Sequence, residues 1–156
     1  MFTPNKNKIM KKIFLILISI ICINSVSAQK YTDTYLKDAN KVAINWLKNI
    51  NSKQYKIAYN LLAKDTKSKY VEEEWITFLN NLMIEFGKIK ERTIKTSSFQ
   101  SSVEGLEDGF YVTIEYASNY LNTINHEEYL LLKQNDKAKW EIVSFNYKFT
   151  KLDGSK

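Results

Sequence analysis

Three features of this 156-residue chain predict an α+β fold, with N-terminal helices packed on one face of a four-stranded antiparallel meander sheet. Apolar residues recur at helical spacing as far as Gly87. Beyond Gly87 they recur at alternate positions, the period of a strand. The links between the alternating segments are short and polar, which joins consecutive strands antiparallel. Helices segregated from a run of strands bury their apolar stripes against one face of the sheet.

Residues 1–28 precede this pattern. Lys11 and Lys12 lead into the apolar run from Ile13 to Ile23, and Val26-Ser27-Ala28 closes it. A positive start, a short apolar run and a small-residue exit read as a secretory signal cleaved after Ala28. The run falls short of the ~20 residues of a comfortable membrane span, although an uncleaved anchor would carry the same features. Met10 opens the signal directly and is an alternative start to Met1. Ile21 stands before Cys22 where a lipoprotein anchor favours a small residue. The expected location is periplasmic or secreted, with residues 29–156 forming a single domain and no membrane span after cleavage.

Within that domain, Tyr35, Ala39, Val42, Ala43, Trp46, Leu47 and Ile50 form one helical stripe over residues 34–50, with Asp33 as its N-cap. A shorter helix over residues 53–63 turns Tyr55, Ala58, Tyr59 and Leu62 inward, and a polar connector follows over residues 65–69. A third helix over residues 71–86 carries Val71, Trp75, Phe78, Leu79, Leu82, Met83 and Phe86 on its stripe. Glu72, Glu73 and Glu74 complement its N-terminal dipole, and Gly87 terminates it. Strands are predicted over residues 88–99, 110–121, 127–133 and 140–149. In the second, Phe110, Val112, Ile114, Tyr116 and Tyr120 point one way and Tyr111, Thr113, Glu115 and Asn119 the other. Turns fall at residues 122–125 and 134–137, and residues 101–109 form a loop.

Composition narrows the chemistry. The whole chain has 23 Lys+Arg against 17 Asp+Glu. Four of those lysines lie in residues 1–28, which hold no acids, so the remainder carries a net charge of only +2. That weakens the case for nucleic acid, which needs a clustered basic patch. Cys22 and Pro4 are the only residues of their types, so the domain has no disulfide, thiol nucleophile or thiolate metal site. One histidine and no cysteine cannot close a zinc site. No cofactor is expected. Phosphate-loop, nucleophile-elbow and HExxH motifs are absent.

Arg92 is the only arginine; the other 22 basic residues are lysines. It reads as a bidentate clamp for a carboxylate or phosphate, or as a structural salt bridge to Glu115, Glu127 or Glu128. His126, the only histidine, is a general-base candidate or an exposed turn residue. Glu104, Glu107 and Asp108 make an acidic loop without calcium-ligand spacing, and Asp108-Gly109 supplies turn geometry. Tyr111, Tyr116, Tyr120 and Trp140 either line a pocket with polar-tipped apolar walls or pack the core. The binding candidates are therefore Arg92, Asp108, Tyr111 and Trp140.

The ordered set Trp46-Leu47, Trp75, Phe86-Gly87, Arg92, Asp108-Gly109-Phe110-Tyr111-Val112, Glu127 or Glu128 and Trp140-Glu141-Ile142 resembles domain-of-unknown-function family 4019, small exported bacterial domains. The resemblance covers residues 39–149. It implies a compact helix-plus-sheet domain similar to cystatin-like or nuclear-transport-factor-like cones, and supplies no activity to carry over. Glu107 and Glu104 stand where the family favours prolines, and Ser144-Phe145 replaces a late Gly-Tyr, so the loop before the second strand is expected to be more acidic and mobile. Two functions follow as expectations. The first is a non-catalytic module of the cell envelope that binds a small ligand or an envelope protein. The alternative is a small secreted enzyme with a cone-shaped cavity and Tyr, Glu or His126 as acid–base groups.

Overall fold

The computed structural model describes residues 31–152; the leader, its cleavage site and both candidate starts lie outside them. Residues 31–34 belong to an N-terminal unit, and the fold below is that of the unit beginning at Tyr35. Helix α1 (31–51) is followed by α2 (Tyr55–Asn60), α3 (Lys64–Lys67) and α4 (Glu72–Phe86). Four strands complete the chain: β1 (Ile89–Gln100), β2 (Tyr111–Tyr120), β3 (Thr123–Gln134) and β4 (Trp140–Lys151). They pair antiparallel in the order β1-β2-β3-β4, the expected meander.

The core lies between the helices and one sheet face. Ala39, Ala43, Trp46, Leu47 and Ile50 of α1 are buried, as are Leu79, Leu82 and Phe86 of α4. Val112, Ile114, Tyr116, Tyr120, Leu130, Leu132 and Ile142 meet them from the sheet. The small residues Ala39 and Ala43 leave room for the sheet side chains, while Trp46 keeps its indole N–H satisfied by donating to the Ala58 carbonyl at 3.0 Å. Residues 61–63 cover part of the β4 edge: Ala63 donates to Ile142 O at 2.7 Å, and Ile142 donates to Leu61 O at 2.9 Å.

Several local expectations are corrected. Asp33 lies inside the helical run, so it is not the N-cap. Helix α2 stops at Asn60 because the chain then turns to pair with β4, and the polar connector holds the short α3. Val71 and Phe78 are more than half exposed although they fall on the α4 stripe. They sit on the flank of that stripe. Phe110 is exposed and Tyr111 buried, the reverse of simple alternation. The β2–β3 turn is shorter than expected, and β3 already begins at Thr123. Asn125, at φ 51°, then falls in a register shift against β4.

Gly87 ends α4 as expected. Its φ is +76°, its N–H donates to Met83 O at 3.0 Å, and a Cβ would lie 2.8 Å from the Asn122 side chain.

Candidate functional site

Arg92 points into the helix-facing side of the sheet, where β1, β2 and β3 each contribute to a polar cluster. Its Nε donates to Glu128 Oε2 at 2.5 Å and its Nη2 to Glu128 Oε1 at 2.9 Å. Ser118 Oγ and Tyr120 Oη also donate to Glu128, at 2.5 and 2.6 Å, so the carboxylate accepts four hydrogen bonds. Glu128 is fully buried, while the Arg92 side chain is 13 % exposed. Of the three carboxylates open to Arg92 from sequence, Glu128 is the partner. Glu127 instead pairs with Lys95 at 2.5 Å on the outer face.

Burial is the largest influence on the Glu128 carboxyl and would raise its pKa. The hydrogen bonds and charge of Arg92, with the bonds from Ser118 and Tyr120, together outweigh it and leave the value below the usual carboxylate range. The same surroundings raise both neighbouring phenols. Burial, reinforced by the Glu128 charge, pushes Tyr116 up to about 12 and lifts Tyr120 higher still. Both stay protonated at neutral pH.

His126 adjoins this cluster and is buried, which corrects its expected place in an exposed turn. Its ring packs against Phe86, Tyr120 and Phe149 at centroid distances of 4.3, 4.6 and 5.3 Å. Nδ1 shares a 2.9 Å hydrogen bond with Thr123 Oγ1, and Nε2 has no partner among the described residues. Burial depresses its pKa, favouring the neutral ring.

The remaining candidates gather at the opposite end of the sheet. Ser118 pairs with Arg92 in register, and Tyr111 lies seven residues away on the same strand, roughly 20 Å at strand rise. Tyr111 is buried and donates to Glu107 O at 2.6 Å. Trp140 is also buried, edge-on to Tyr35 at 6.1 Å. Asp108 is exposed in the loop. Glu107, in the same loop, is ion-paired to Lys133 of β3 at 2.8 Å. The structure thus divides the four candidates between two places, and Tyr111 and Trp140 pack rather than face solvent.

Among the described residues, two clefts lie along the seams between helices and sheet. One is a cleft of about 390 Å³ beside α4 and β4, with Trp46, Trp75, Phe78 and Phe145 among its walls and Thr66, Glu74 and Asn146 as polar groups. The other, also about 390 Å³, lies beside the C-terminal ends of α1 and α4. Among the described residues no cluster of three or more His, Cys, Asp or Glu side chains is placed to hold a metal ion.

The family described as "Protein of unknown function (DUF4019)" matches residues 42–145, two thirds of the chain. The chain belongs to this family. No curated protein matches it. The matched span of this DUF4019 domain contains Arg92, Ser118, Tyr120 and Glu128, the lining of the second cleft and all of the first cleft's lining except Asn146.

Sequence reasoning assigned Trp75 and Phe78 to the core and so missed the first cleft of the DUF4019 domain. A usable signal was present. A seven-residue stripe that includes both Val71 and Phe78 is wider than the arc a single sheet face can cover, so its flank must be exposed or line a groove. Lys53 and Lys88, at the second cleft, carried no periodic signal at all.

Proposed function

We propose that this DUF4019 domain is a non-catalytic module of the cell envelope that binds a small, largely apolar ligand in the cleft between α4 and β4. One observation carries the reading: an aromatic-walled cleft of about 390 Å³ is open while Arg92, Glu128 and Tyr120 are committed to each other. That volume falls in the range of small-molecule sites, which pair apolar walls with a few polar groups. The Phe78 ring, 57 % exposed, gains most from a ligand that covers it. The leader over residues 11–28 supports export. Glu128, Tyr120 and His126 lend no support to the secreted-enzyme alternative, because each is buried and none lines either cleft.

The test is titration of the full chain with the neutral fluorophore N-phenyl-1-naphthylamine. The expected result is enhanced dye emission with quenching of tryptophan, since Trp46 and Trp75 both line the cleft. Phe78→Ala should weaken binding roughly tenfold, the cost of losing about 1–2 kcal/mol of ring contact. Dye that fails to bind, or binds equally well to the variant, refutes the assignment.

A further inference from the structure

The second cleft carries features that core packing does not account for. Ile50, Met83, Ile84 and Ile89 give it apolar walls. Two polar atoms of its lining are buried without a hydrogen-bond partner among the described residues: Tyr55 Oη and Asn51 Oδ1. Tyr55 is only 7 % exposed. Buried groups of this kind are nearly always paired, because leaving one unpaired costs about 1–3 kcal/mol.

Positive charge gathers at the same place. Lys53 and Lys88 line the cleft, and neither forms an ion pair among the described residues. The helices α1 and α4 both end beside it, and each C-terminus is equivalent to roughly half a negative charge. Two lysines therefore leave about one positive charge in surplus. Lys53 also holds φ at 59°, a conformation that asparagine or glycine would adopt more readily. That conformation closes α1: the Lys53 N–H donates to Ile50 O at 2.9 Å and the Gln54 N–H to Asn49 O at 2.8 Å, a left-handed helix cap that places Lys53 beside the cleft.

We infer that this cleft is a separate binding site for an organic anion with an apolar tail, a carboxylate or phosphate head on a hydrocarbon body. The tail lies on Ile50, Met83, Ile84 and Ile89. The head accepts the Tyr55 hydroxyl proton and meets the ammonium groups of Lys53 and Lys88. Burial raises the Tyr55 pKa, so the phenol remains a donor. The Asn51 amide presents its nitrogen to the same head after a half-turn, which exchanges its oxygen for a donor.

Sodium octanoate is the probe, with octanol and octyltrimethylammonium as neutral and cationic controls. Each is titrated into the isotope-labelled full chain, and the backbone amides of Asn51, Gly87 and Ile89 are followed by NMR. Octanoate should shift these amides and bind roughly tenfold more tightly than octanol, as expected for hydrogen bonds to a charged head. The cation should leave them unmoved. Lys53→Gln with Lys88→Gln, both surface changes, should reduce octanoate to the affinity of octanol. Tyr55→Phe keeps the ring and should weaken octanoate several-fold without lowering the melting temperature. Equal binding of octanoate and octanol, shifts confined to other amides, no shifts, or unchanged affinity in the variants would each overturn the assignment. Naphthylamine binding at the aromatic cleft should be unaffected by all three substitutions, which separates the two sites.

Discussion

Substituting Glu128 by glutamine removes one charge from the buried cluster while almost preserving its volume. The native carboxylate accepts four hydrogen bonds, two of them from Arg92. In the variant, the amide nitrogen becomes a donor facing donors, and the guanidinium keeps its charge without a counter-ion. Breaking a buried pair by removing one partner costs about 3–5 kcal/mol. Arg92 is 13 % exposed, so water reaches it and the lower end applies. A loss of ~3 kcal/mol is a large part of the 5–15 kcal/mol typical of a domain. At roughly 3–5 °C per kcal/mol for this size, the melting temperature should fall by about 10–15 °C. At pH 7, urea denaturation followed by circular dichroism measures the free-energy loss and a thermal melt measures the temperature shift. The pH dependence provides a second check. Because the native pKa of Glu128 lies below its unfolded value, its contribution is complete above about pH 4.3 and is lost as pH falls through the native value. The glutamine variant should lack that acid-limb loss. A variant within 1 kcal/mol of the parent, or one with an unchanged acid limb, refutes the view that Glu128 is held ionised by Arg92.

Three further predictions follow from the described geometry. His126 has a native pKa below its unfolded value near 6.5, so stability should decline as pH drops from about 6.5 toward that native value; His126→Phe should abolish this step in a pH series of melts. Gly87→Ala combines a left-handed backbone with a 2.8 Å approach to Asn122 and should cost roughly 2 kcal/mol in urea denaturation. Lys53→Asn relieves left-handed strain and should raise stability by up to about 1 kcal/mol while weakening octanoate binding, the reverse of what a purely structural lysine would give.

The sequence carried the architecture because the change in period at Gly87 reports directly on which side of each element is covered. The α1 stripe and the Val112–Ile114–Tyr116 alternation are consequences of burial, so reading them recovers the core. The polar residues gave less. That Arg92 is unique was visible, and Glu128 stood among three possible partners, but only strand register brings Arg92 opposite Ser118 and Tyr116 opposite Glu128. His126 was misplaced for a related reason. Its neighbours Glu127 and Glu128 suggested an exposed turn, yet the register shift after Ile124 turns the ring toward Phe86 and Phe149. Tyr111 escaped the alternation rule because the Glu107 carbonyl and the Lys133 side chain, 5.7 Å from its ring, cover the outer face there.

The position of the single arginine has a physical explanation in β1. This strand contains no fully buried side chain along its 12 residues, and its sequence is rich in Lys, Thr and Ser. Apolar patterning therefore specifies its register weakly, the condition under which strands slip. Arg92 supplies the missing constraint. A one-residue slip would carry the guanidinium to the outer face, and a two-residue slip would move it about 7 Å along the sheet. Either would strand Glu128 as an unpaired buried charge, at a cost of several kcal/mol. The bidentate fork that reaches both Glu128 oxygens makes this lock directional. A lysine would supply the charge from many positions and so would not fix one, which is why arginine stands here in a chain that uses lysine everywhere else.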